Sequence, residues 1–140
     1  MEPPRPTVPL ATWPIKPSLG VLCRKWTLPI LWDMMAKPEP RFTEILRSNA
    51  GLSPRLLAMR INELEREGIL RRVPSTVDAR EVYYELSPKG RDLVHVLLAV
   101  LRFAAKNEAG RIFPDGQPRK LEEAYPGVEE WAKRFAPPEP

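Results

Sequence analysis

Chemistry that needs a pair of cysteines or a cluster of histidines is beyond this chain. Its 140 residues hold one cysteine, Cys23, and one histidine, His95. A single copy therefore closes no internal disulfide and supplies no Cys/His zinc set. His95 lies inside the apolar run "DLVHVLLAVL" and would have to serve every Ser/His/Asp or Cys/His scheme. No catalytic constellation is legible, so the expectation is a protein that is not an enzyme and uses no metal and no cofactor. Also lacking is an apolar run near the roughly 18 residues needed to span a bilayer. The N-terminus "MEPPRPTVPLATWPIKP" has prolines where a signal peptide needs an unbroken apolar stretch. These two absences point to a soluble, cytoplasmic protein with no membrane partner. Long blocks of basic residues are missing as well, which excludes a disordered polycationic arm.

What is present suits one domain with tails: 43% hydrophobic residues in a chain of single-domain length. The net charge of +4 is modest, so its placement matters more than its size. Residues 41–72 carry seven arginines against four glutamates, whereas residues 111–140 are net acidic by one. Prolines are densest at the two ends, and the reading divides the chain accordingly. Residues 1–12 form a flexible Pro-rich segment, 13–109 the folded domain, and 110–140 a Pro-rich extension with a short helix interrupted at Pro126 and Gly127.

Within the middle, "KWTLPILWDMMAK" predicts a helix over about 27–37, with Pro29 tolerated in its first turn. "RFTEILRSN" predicts a second, shorter one. In "GLSPRLLAMRINELEREGILRR", Ser53 is the N-cap, Pro54 the first helical residue and Gly68 the left-handed stop. At 100° per residue Leu57, Ile61 and Leu64 share the core face, and Arg55, Met59, Asn62 and Arg66 form the opposite stripe. "ILRRVPS" and "REVYYELS", joined by a polar turn, read as a hairpin. Ser87 and Pro88 then open a helix over about 88–108 whose apolar residues cover more than one stripe, and Leu93, Leu97 and Leu101 are its expected contacts with a second copy.

The fold class expected is mainly α with a small β-hairpin, a winged helix-turn-helix. The elements "KWT", "RFTEI", "LSPRLL" with "LEREGIL", and "VYYELSPKG" stand in an order that resembles the HxlR-type winged helix transcriptional regulators, over about residues 15–105. The resemblance implies a homodimer joined by its terminal helices, residues 53–67 as recognition helix and the tip at 78–80 as wing. Two positions depart from the family: Cys23 and Arg24 replace its pair of small residues before "KWT", and Trp13-Pro14 stands where a Cys-Pro dipeptide is common. The tail from 111 lies outside the resemblance.

This frame assigns base contacts to Pro54, Arg55, Ala58, Met59 and Asn62, because Arg can pair with guanine and Asn with adenine. Phosphate contacts fall to Arg41, Ser53, Arg60, Arg66 and Arg80, with Arg60 also placed to pair with a Glu inside the protein. The partners expected are double-stranded DNA at a pseudo-palindromic operator, a second copy of the chain, and an unidentified small-molecule effector. Cys23 is a redox candidate, but flanked by Leu22 and Trp26 and lacking a second cysteine it is expected to be structural. Two alternatives stay open: a winged helix serving as a protein or RNA interaction module, and a sensor whose DNA affinity answers to an effector or to oxidation.

Overall fold

The computed structural model describes residues 1–136. Residues 1–12 form neither helix nor strand and are exposed. Helix α1 (Lys16–Leu22) follows, then α2 (Thr27–Ala36), α3 (Phe42–Ser48) and α4 (Pro54–Arg66). The two-stranded antiparallel sheet β1 (Leu70–Pro74) and β2 (Val82–Leu86) pairs Leu70 with Leu86 and Pro74 with Val82. Five helices follow among the described residues: α5 (Pro88–Arg91), α6 (Val94–Asn107), α7 (Ala109–Ile112), α8 (Leu121–Ala124) and α9 (Val128–Lys133). The mainly helical chain with one hairpin is the winged helix-turn-helix that the sequence predicted.

The core forms around α2, whose Ile30 and Leu31 are fully buried, together with Ile45 of α3 and Leu57, Ile61 and Leu64 of α4. Each such side chain contributes roughly 1.5–3 kcal/mol by leaving water. The turn between α3 and α4 is fixed by polar contacts. Asn49 donates its Nδ2 to Asp33 Oδ2 at 2.8 Å and to the Ile45 carbonyl at 2.7 Å, and Lys37 lies 3.8 Å from the same Asp33 carboxylate. The buried Asp33 is thus paired rather than orphaned, as a charge removed from water must be.

Helix α4 begins and ends as its sequence dictates. Ser53 Oγ accepts the Leu56 N–H at 3.1 Å, which satisfies one free donor of the first turn. At the other end Gly68 has φ +71°, its N–H reaches the Glu65 carbonyl at 3.0 Å and Ile69 N–H reaches Leu64 at 2.9 Å. That double bond pattern is a Schellman closure, and it turns the chain directly into β1.

The hairpin is held at both margins. Tyr84 N–H donates to the Pro40 carbonyl at 2.9 Å, which ties β2 to the entry of α3. Ser87, after β2, donates its N–H to the Ile69 carbonyl and its hydroxyl to the Gly68 and Ile69 carbonyls, while its oxygen accepts the Gly90 N–H at 3.0 Å. The start of α5 is therefore clasped to the end of α4.

Three features differ from the sequence reading. Helix α1 was not predicted, and it buries none of its residues, so it leaves no apolar periodicity to read. The single helix expected over 88–108 is two, separated at Asp92 and Leu93, with α5 clasped to the hairpin and α6 packed on α2. The tail folds back on the domain: Leu121, Val128, Ala132 and Ala136 join the same core, and Arg119 N–H donates to the Ala105 carbonyl at 3.2 Å. Trp131 meets Trp32 with ring centroids 5.4 Å apart, and Arg102 pairs with Glu122 at 3.1 Å and with Glu129.

Candidate nucleic-acid interface

The outer face of α4 carries Arg55, Met59, Asn62 and Arg66, all exposed and within about 60° of one another around the helix. Ser53 and Pro54 are exposed at its entry, and Ala58 is half-buried on its flank. Arg55 and Arg66 have no ion-pair partner among the described residues. The acids beside this stripe are otherwise engaged. Glu63 accepts from Arg24 at 3.0 Å and from Arg60 at 3.2 Å, and Glu65 accepts from Arg72 at 3.2 Å. Two of the three glutamates that would have neutralised the face are thereby turned to its sides, and the stripe itself is cationic.

Arg60 corrects the sequence reading. Its side chain is only 11% exposed, its Nε donates to the Lys25 carbonyl at 2.8 Å and its Nη1 is spent on Glu63. It faces the loop between α1 and α2 rather than solvent, so it is removed from the phosphate set and serves to lock α4 against that loop. The position at the edge of the core face already allowed this pairing.

Arg41, at the entry of α3, pairs with Glu81 and lies 3.5 Å from Ser75 Oγ, at the base of the wing. Arg80 at the wing tip is almost fully exposed, and its guanidinium spans both oxygens of Asp78 at 3.2 Å. The Arg80 side chain, and then its backbone N–H, hold the Asp78 carboxyl below the usual carboxylate range. Exposed pairs of this kind contribute little to stability, so exchange for a phosphate oxygen costs Arg80 little.

Two basic residues were missed by the sequence reading. Arg47 stands exposed in the last turn of α3, with no ion-pair partner among the described residues. Arg72 on β1 donates its Nη2 to Asn62 Oδ1 at 2.8 Å while its Nε meets Glu65. The signal for Arg72 was its place just past the stop of α4, on the strand that runs back beside the helix.

Cys23 and the expected dimer residues are also placed differently. Cys23 is exposed as the C-cap of α1, not buried, because α1 lies on the surface. Leu97 is 5% exposed and belongs to the core of its own protomer, with Leu93 and Leu101 half-buried against that core. The apolar side chains that α6 leaves in solvent are Val96, Val100 and, at 62%, Phe103. Among the described residues no helix is long and apolar enough to cross a membrane.

Known proteins place this geometry. The HxlR-like helix-turn-helix family matches residues 21–110. The uncharacterized HTH-type transcriptional regulator YvaP of Bacillus subtilis is 30% identical over 91 residues, covering 64% of this chain and 82% of that relative. Among solved structures, PA1607, a putative transcription factor, superposes with a TM-score of 0.61 at 30% identity, over 67% of this chain and 64% of that one. The reduced form of the transcriptional regulator YodB from B. subtilis gives a TM-score of 0.57 at 26% identity, over 77% of this chain and 100% of that one. With a capped helix that turns a cationic stripe outward beside a two-stranded wing, the chain belongs to the HxlR-like helix-turn-helix family and is a DNA-binding transcriptional regulator rather than an enzyme.

Proposed function

We propose that this regulator acts in the cytoplasm as a homodimer on a pseudo-palindromic operator, with the outer face of α4 in the major groove and the wing on the backbone. The observation that carries this reading is that Glu63 and Glu65 are spent on Arg24, Arg60 and Arg72, which leaves Arg55 and Arg66 without an ion-pair partner among the described residues, on the face of Met59 and Asn62. Arg55 and Asn62 stand in the first and middle turns and read base edges, supported on either side by Pro54, Ala58 and Met59. Ser53, Arg66, Arg41 and Arg80 meet phosphates and fix the register. The dimer contact falls on the exposed stripe Val96, Val100 and Phe103 of α6, and spaces two half-sites about one helical turn apart.

The test is duplex binding by purified variants at several salt concentrations. Arg55→Ala should lose roughly 1–3 kcal/mol at one base position and relax sequence preference there. Arg66→Ala and Arg80→Ala should weaken all sequences alike and flatten the salt dependence by about one unit each. If Arg55→Ala retains the full preference for specific over random DNA, the assignment of α4 as the reading helix is wrong, and a protein or RNA interaction module becomes the better account.

A second reading, control by a bound small molecule, is favoured by an open cleft of about 420 Å³ between α2 and the tail. Trp32, Ala36, Tyr125 and Trp131 line it and no charged side chain does, so it suits a flat, neutral, apolar molecule. A neutral bicyclic aromatic should quench tryptophan fluorescence saturably, less so in Trp131→Leu, and should change DNA affinity. Quenching without saturation would remove this reading.

A further inference from the structure

We propose that Arg72, on the wing strand, determines specificity by orienting Asn62, so that position 62 reads guanine instead of the adenine that a free asparagine favours. The inference rests on α4 being the helix that enters the major groove.

The argument turns on what each group can donate and accept. A guanidinium has donors only, so the atom of the Asn62 amide that lies 2.8 Å from Arg72 Nη2 is its oxygen. The same guanidinium is fixed from two further sides. Its Nε donates to Glu65 Oε2 at 3.2 Å, one turn along α4, and its central carbon Cζ lies 6.0 Å from the centre of the Tyr84 ring, the residue paired with Arg72 across the sheet. Burial pushes the Tyr84 phenol above its ordinary range while the Arg72 charge opposes that shift, which places the two in one electrostatic environment. Arg72 is thus held by helix and strand together, and Asn62 Oδ1 is drawn toward the wing.

An asparagine that reads adenine presents both amide atoms in the plane of the base, accepting from N6 and donating to N7. With its oxygen turned to the wing, Asn62 presents the amide N–H2 alone. A donor without an acceptor beside it is best matched by guanine, whose N7 and O6 both accept in the major groove. Replacing Arg72 frees the amide to rotate and restores the adenine pairing.

The experiment is selection of binding sites from a random duplex pool by the full chain, followed by affinities for the selected duplex and its single-base variants. Asn62→Ala identifies the base position that depends on residue 62. At that position wild type should prefer guanine and Arg72→Leu should prefer adenine, a reversal on the order of tenfold in relative affinity, with the other positions unchanged. Arg72→Lys keeps a donor for Oδ1 and should retain guanine; thermal melting of each variant reports whether it is folded. If Arg72→Leu weakens every sequence equally and flattens the salt dependence, Arg72 is a phosphate contact and the proposal fails. If its base preference matches wild type, Asn62 is oriented by something else and the proposal fails again. If Asn62→Ala relaxes no position while wild type still selects a sequence, the placement of residue 62 is wrong, and the proposal falls with it. A wild type that enriches no sequence overturns the reading-helix assignment itself.

Discussion

Gly90→Ala should lower the stability of the fold by on the order of 3 kcal/mol or more. A Cβ built at Gly90 lies 2.1 Å from the Ile69 carbonyl oxygen and 3.0 Å from its carbon, and both are backbone atoms held by Ser87. A side chain would yield by changing rotamer, but this carbonyl cannot move without opening the clasp between α4, β1 and α5. Urea denaturation should show an earlier midpoint with an unchanged slope. Gly20→Ala is the control, since a Cβ there meets nothing within 4 Å. A Gly90→Ala midpoint equal to wild type would mean that the close approach is not tight.

Charge placed on the two sides of α6 should have opposite consequences. Leu97→Asp puts a carboxylate into the core of the protomer, so it should cost on the order of 4 kcal/mol and give unfolded or aggregated protein. Phe103→Asp substitutes a side chain already in solvent and should fold normally, yet give monomers with weakened operator binding. Circular dichroism separates the folding outcomes and light scattering the assembly. A folded, monomeric Leu97→Asp protein would return Leu97 to the interface, and a dimeric Phe103→Asp protein would take the interface away from this stripe.

The parts of the molecule legible in the sequence are those whose determinants lie within one or two turns of chain. Ser53, Pro54 and Gly68 announce both ends of α4, and the period of Leu57, Ile61 and Leu64 fixes which side faces out. Alternation from Val82 to Leu86 marks β2, although Val82 itself is exposed at the strand's end. What was missed depends on residues far apart in the chain. Arg60 finds the Lys25 carbonyl 35 residues away, and Arg72 finds Asn62 ten residues away. Neither separation belongs to a helix or strand period. The break at Asp92 and Leu93 was hidden because neither residue is a proline or glycine and Ser87 with Pro88 already supplies a helix start just upstream. The division at residue 110 followed the prolines, which mark where helices stop and say nothing of where the next one docks. The outward face of α6 was the least legible, because a helix that is apolar on several sides does not say which side its own protomer will take.

The fold-back of the tail bears on the symmetry of assembly. Residues 121–136 lie along one flank of α6 and enclose it with Arg102, Glu122 and Glu129, so that helix presents a single apolar stripe outward. Two copies that meet on that stripe through a twofold axis use the same patch on both sides. Once it is used, α6 offers no complementary surface on which a third copy could continue. An isologous contact of this kind closes on itself, whereas a helix bare on two flanks admits head-to-tail stacking into open chains. In the proposed dimer the tail thus limits assembly to two copies without taking part in the contact.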